Sequence, residues 1–408
     1  MELTRRDARL YVAANGLGSF GLGVTAFYLN FLYRALGFGD ARIGSLASGL
    51  ALGAVLGALP ATLAARRLSR RATIIAGGTV TGAGVVAILL FDDFTLLLLA
   101  AALIGFGGVV VSSSGSALVA DATSIGDRPL LFGQAIALAT TASFLASSIA
   151  GALAAPLGAL LGRAAGDPLV LRVLIGAGGL IAASSIVPIL FVRSARVRRG
   201  GHDAPARRRL FLRFAALEVC FGFGAGSFLP FVNLFFADRY GLSFAAVGVS
   251  IGVLAVVGSL GALLHSRLFV PRYGWLRAVV LVELASLPFA LLAAAAGEPI
   301  VAVGALAMRA FLMYGASATM TAFTQSSFAP AERAGAHAGL IIVWNLANAV
   351  AAYLSGFVRS TVGPTGYQLN LATLVGAYLV AALLTLALFR SHEPRGDTIV
   401  SSPSDSTR

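Results

Sequence analysis

Lysine is absent from this 408-residue chain, cysteine occurs once (Cys220), and only 12% of the residues are charged. The single cysteine excludes an intramolecular disulfide and a thiolate metal cluster. Soluble domains carry about 25% charged residues, so the shortage of charge excludes an ordinary water-facing surface. With four histidines and 17 acidic residues, no Cys/His cluster, phosphate-binding glycine loop or nucleophile–base set can be assembled. Neither an enzyme nor a cofactor is expected. What is abundant is hydrophobicity: 58% of the residues are apolar, with 48 glycines and a mean hydropathy of +0.88. Small residues let apolar helices approach closely inside a bilayer. An all-α integral membrane protein partnered by lipid is expected.

All 30 basic residues are arginine, and the formal net charge is +13. Eight of them crowd residues 193–213, "RSARVRRGGHDAPARRRLFLR". Such a run suits a nucleic-acid arm, a solvated linker or a cytoplasmic loop. A membrane span needs about 20 mostly apolar residues. Cutting at charges, prolines and turn signals gives twelve spans: 10–35, 42–65, 72–91, 95–120, 130–161, 170–192, 211–237, 244–269, 277–296, 300–328, 334–359 and 367–389. Residues 1–9, "MELTRRDAR", lead directly into the first span and are not read as a cleaved signal. With the N-terminus inside, 23 arginines fall on the cytoplasmic side and six on the other, with Arg309 left within a span. That asymmetry predicts both termini and the central loop in the cytoplasm, and a multi-pass protein of the cell (inner) membrane. The arginine run becomes a topology determinant, and nucleic acid is not an expected partner.

The two halves repeat. Residues 20–37, "FGLGVTAFYLNFLYRALG", align with 223–241, "FGAGSFLPFVNLFFADRYG", placing Asn30 on Asn233. Further on, Gly44 aligns with Gly248, the Leu-Gly-Ala of 56–58 with that of 260–262, and Asp127-Arg128 with Glu332-Arg333. Two six-helix units in the same orientation form the parallel-repeat plan of secondary transporters. The expected boundaries are a bundle at 1–192, a linker at 193–209, a bundle at 210–390 and a disordered cytoplasmic tail at 391–408.

At this point the chain resembles the major facilitator superfamily along nearly its whole length. The loop "GALPATLAARRLSRR" (57–71) is similar to that family's basic loop between helices 2 and 3. It carries Arg66, Arg67, Arg70 and Arg71, but Ala65 stands where the family has an aspartate. Asp121 is a substitute partner for these arginines. The second-half loop "SRLFVPRYGWLR" (266–277) keeps Arg272-Tyr273-Gly274, and "SFAPAERAGAHAGL" (327–340) resembles the family's element before helix 11. The resemblance implies twelve helices in two pseudo-symmetric six-helix bundles. It also implies gating roles for Arg66, Arg67, Asp121, Arg128, Arg272, Glu332 and Arg333. The Gly-Pro pattern of the proton-antiport drug exporters is missing from "FLASSIAGALAAPLG" (144–158), and helix 4 lacks their arginine.

The resemblance further implies a cavity lined by helices 1, 4, 7 and 10, flanked by 2, 5, 8 and 11. Polar groups inside spans are costly and face the bundle interior or water. Tyr28, Asn30, Ser113, Asn233, Arg309, Gln325, Trp344 and Asn345 are the expected substrate contacts. Arg309 serves either an anionic ligand or a neighbouring helix. Glu218, the repeat mate of Asn15, can load and release a proton, or pair with Arg213. Asn30 and Asn233 contact substrate or bond helix to helix. Glu283 is expected to snorkel toward Arg277, since helix 9 is peripheral. The function expected is alternating-access transport of a small organic solute, anionic or amphiphilic, coupled to protons, by a monomer. An uncoupled facilitator for a neutral solute and a non-transporting membrane sensor are the alternatives.

Overall fold

A computed structural model describes residues 3–122, 128–193, 207–329 and 332–389. The first half comprises α1 (Arg5–Ala35), α2 (Asp40–Arg67), α3 (Arg70–Leu90), α4 (Phe94–Asp121), α5 (Arg128–Leu160) and α6 (Pro168–Ser184, prolonged by Ile186–Leu190). The second half opens with α7, which runs as Arg208–Phe228, a 3-10 turn Leu229–Phe231 and Val232–Tyr240. Then follow α8 (Phe244–Leu268), a short helix Val270–Tyr273, α9 (Trp275–Ala295), α10 (Pro299–Ser327), α11 (Arg333–Val362) and α12 (Gly366–Phe389). Eleven helical stretches are long and apolar enough to span a membrane, and the last, Gly335–Phe389, is 55 residues long. It is broken at Gly363, whose φ of +65° suits a residue without Cβ, so twelve spans result. Among the described residues there is no strand.

The sequence locates the spans to within a few residues but misses the break in α7. Pro230 has no N–H to donate and its ring obstructs the preceding turn, so the backbone tightens to 3-10 geometry at Leu229–Phe231. Side-chain caps begin several helices. Ser69 accepts from the Ala72 N–H at the start of α3, and Ser243 from the Ala246 N–H at the start of α8. Asp167 accepts from the Leu169 N–H, and that bond together with Arg163 holds its carboxyl below the usual carboxylate range. Large apolar side chains face outward, among them Leu160, Leu180 and Ile300 at 81%, 75% and 76% exposure. Such a belt suits hydrocarbon and would be a liability in water.

In the first bundle α4 packs on α2 and α3, and α1 on α5 and α6; in the second α7 packs on α11 and α12, and α10 on α8 and α9. The bundles meet through α2 against α11 and α5 against α8. Gly44 and Gly356 permit the first of these contacts. A Cβ on Gly356 would stand 2.4 Å from the Asp40 carbonyl and 2.7 Å from the Gly44 Cα.

Candidate functional site

Two clusters of polar side chains occupy different depths. The first joins the bundles at the end opposite the termini. Asn30 Nδ2 donates to Asn233 Oδ1 at 2.9 Å and to the Pro230 carbonyl at 2.7 Å, and Asn233 Nδ2 donates to the Phe27 carbonyl at 3.0 Å. The repeat mates therefore meet on the pseudo-twofold axis, bonding to each other in this conformation. One turn further, Arg34 bridges Asp238 of the other bundle and Asp40 of its own, the latter at 2.8 Å. Arg359 Nη1 lies 3.3 Å from Asp40 and donates to the Tyr367 hydroxyl at 3.0 Å; that hydroxyl donates to Asp238 at 2.5 Å. The Arg359 side chain is fully buried, with its guanidinium 4.1 Å and 5.0 Å from the Phe231 and Tyr367 ring centres. Charges and π faces from α1, α2, α7, α11 and α12 thus form one clasp.

The second cluster surrounds a cavity of about 440 Å³ within the C-terminal bundle. Volumes of this order suit small organic ligands. Glu218 and Phe221 enter it from α7, Glu283 from α9, Arg309 and Tyr314 from α10, His337, Trp344 and Asn345 from α11, and Tyr378 from α12. Arg309 stands ten residues after Pro299, the start of α10, or about 15 Å along the helix axis, which is mid-membrane. It is 5% exposed. Its guanidinium lies 4.9 Å from the Tyr378 ring centre, while Nε and Nη2 are buried without a hydrogen-bond partner among the described residues.

Glu283 corrects one sequence expectation. It is 1% exposed and lines the same cavity as Arg309, with Oε2 unpartnered among the described residues. It does not snorkel toward Arg277, because α9 turns this face onto α10 and α12. Tyr378 lies within electrostatic reach of Arg309, Glu283 and Glu218 together.

The remaining expected residues are scattered. Tyr28 is fully buried and donates its hydroxyl to the Ala150 carbonyl on α5. Ser113 is exposed on α4. Asn345 lines the cavity and also donates to the Ile341 carbonyl at 2.9 Å. Asn15, the mate of Glu218, lines a second cavity of about 530 Å³ in the N-terminal bundle, among glycines, aliphatic residues and hydroxyl side chains, with no charged residue among the described ones in its lining. At the terminal end, Asp121 pairs with Arg70 at 3.0 Å. Glu332 accepts from the Arg207 and Ala329 N–H groups at 3.1 and 3.0 Å, while Arg272 stacks near Tyr273. The side chains of Arg66, Arg67, Arg128, Gln325 and Arg333 lie outside the described residues.

Paired helical bundles spanning a membrane, with polar groups held at mid-depth, are the build of a multi-pass transporter. The chain belongs to the Major Facilitator Superfamily, whose family model matches residues 12–352. No curated protein sequence matches it. Among solved structures it is similar to a bacterial homolog of the human lysosomal transporter Spinster in an inward-facing, unoccupied conformation. The TM-score is 0.76 at 17% identity, covering 94% of this chain and 96% of that one. The nucleoside transporter NupG gives a TM-score of 0.72 at 16% identity, covering 94% and 99%. The E. coli fucose:proton symporter FucP gives 0.64 at 14%, covering 93% and 98%. At such identities the likeness is one of fold.

Proposed function

We propose that this protein is a secondary active transporter that carries a small organic solute by alternating access, with protons as the coupling ion. The observation carrying this reading is the mid-depth cavity that holds Arg309 and Glu218 together, while the bundles are clasped at the opposite end from the termini. A buried guanidinium with free N–H groups is suited to an anionic group on the solute. Glu218 is the proton carrier, since a carboxyl that meets cavity water in one state and is sealed off in another can exchange a proton once per cycle. The units that rock are 1–192 and 210–390, connected by the linker 193–209, with the tail from 391 outside them. The arginine asymmetry favours cytoplasmic termini in the cell membrane. The clasped end then faces outward, and the cavity is reached from inside.

Liposomes holding the purified protein and a trapped pH dye test this reading when challenged with a panel of carboxylates and amino acids. At least one compound is expected to drive proton movement, and E218Q to bind it while losing the proton signal. Undiminished proton movement in E218Q would remove the role of Glu218. Solute equilibration without proton movement would leave an uncoupled facilitator.

A further inference from the structure

We infer that the solute is a zwitterion, a small molecule whose carboxylate meets Arg309 and whose ammonium group meets Glu283, on an apolar body. This rests on the transporter reading above and concerns the same cavity. Both side chains are more than nine-tenths buried and both line the cavity. Arg309 keeps Nε and Nη2 without partners, and Glu283 keeps Oε2 without one, among the described residues. A guanidinium and a carboxyl that share an enclosed space would ordinarily pair, because an unpaired buried cation costs several kcal/mol. Here they are held apart. The Tyr378 ring centre lies 4.9 Å from the guanidinium and its hydroxyl shares a hydrogen bond with Arg309, while Nε and Nη2 remain for a planar acceptor such as a carboxylate.

A simple anion would satisfy Arg309 and leave Glu283 facing added negative charge. A simple amine would do the reverse. Only a ligand with both ends neutralises both groups in one binding event. Phe221, Met313, Leu340 and Trp344 supply an apolar wall for the rest of the molecule. Glu218 stays free for the proton, so cargo charge and coupling charge rest on different carboxyls.

The test is equilibrium binding to the purified full-length protein in detergent, by calorimetry and thermal shift. Matched sets of amino acid, desamino acid and decarboxylated amine are compared, with methyl, isobutyl and benzyl side chains. At least one amino acid is expected to bind ten times or more tighter than its acid and its amine, a difference of about 1.4 kcal/mol. E283Q should reduce that amino acid to the affinity of its acid, and R309Q to that of its amine. The ligand comparison on the unaltered protein does not depend on either variant folding. An acid binding as tightly as its amino acid would overturn the zwitterion while leaving an anion site. An amine binding as tightly would overturn it as well. No binding by any compound would overturn both this inference and the anion site, though not alternating access, which the liposome assay reads separately.

Discussion

Arg359 and Arg309 are both arginines buried in an apolar bundle, yet their surroundings differ. Arg359 has an ion pair with Asp40, a bond to the Tyr367 hydroxyl and the faces of two rings. Both keep Nε and Nη2 without a hydrogen-bond partner among the described residues, but Arg309 has only the ring and hydroxyl of Tyr378 beside it and no ion pair among the described residues. The first belongs to an ion-pair network that joins the halves, the second stands in a cavity without a carboxylate in ion-pair reach among the described residues. A charge whose partners come from the protein fixes a conformation. A charge left without them is available to something the protein binds.

The comparison can be broken at the clasp first. R359Q removes a buried cation facing Asp40; losing one partner of a fully buried pair costs about 3–5 kcal/mol, an upper bound here because Asp40 is partly exposed and keeps Arg34 at 2.8 Å. The clasp exists only when this end is shut, so the loss is expected mainly as opening. Hydrogen exchange should rise across 30–45 and 230–243, with a lowered melting temperature. Unchanged exchange there would show that the clasp does not hold the end closed. G356A comes next, at about 1–3 kcal/mol for overpacking, because its Cβ would meet backbone of α2; the same exchange measurement applies. N233A removes side-chain bonds to Asn30 and Phe27, each worth about 1 kcal/mol, and should open the end less. The smallest effect is expected at the exposed Arg70–Asp121 pair, where D121N should shift stability by less than about 1 kcal/mol. A larger loss there would mean that this pair, and not the clasp, governs the gate.

The spans were legible because a bilayer asks for about 20 apolar residues in succession, a property written along one dimension. The repeat was legible too, and it paired Asn30 with Asn233 before any geometry was known. Their bond to one another was not, since it depends on how closely α1 and α7 cross. The clasp charges Arg34, Asp40, Asp238 and Arg359 resembled ordinary charges at span ends. A signal was nevertheless present: at the spacing that pairs the asparagines Asp238 falls on Ala35, next to Arg34, so charges of opposite sign stand about one turn past the asparagines in the two halves. Glu283 was misread because a helix that is peripheral as a whole still turns one face inward. The cavity lies within one bundle, so Tyr28, Asn30 and Ser113 stand apart from it. Asn15 and Glu218 illustrate the division between the halves: mates in the repeat, each lines its own bundle's cavity, but only the C-terminal copy carries charge.

The most direct test is the ligand-free melting temperature of R309Q beside that of R359Q. If Arg309 is an unpaired charge kept for a ligand, neutralising it removes a folding cost, and R309Q should melt at or above the unaltered protein while losing ligand-induced stabilisation. R359Q should melt lower. An R309Q protein destabilised as much as R359Q would contradict the account, because Arg309 would then be holding the bundle together as Arg359 does.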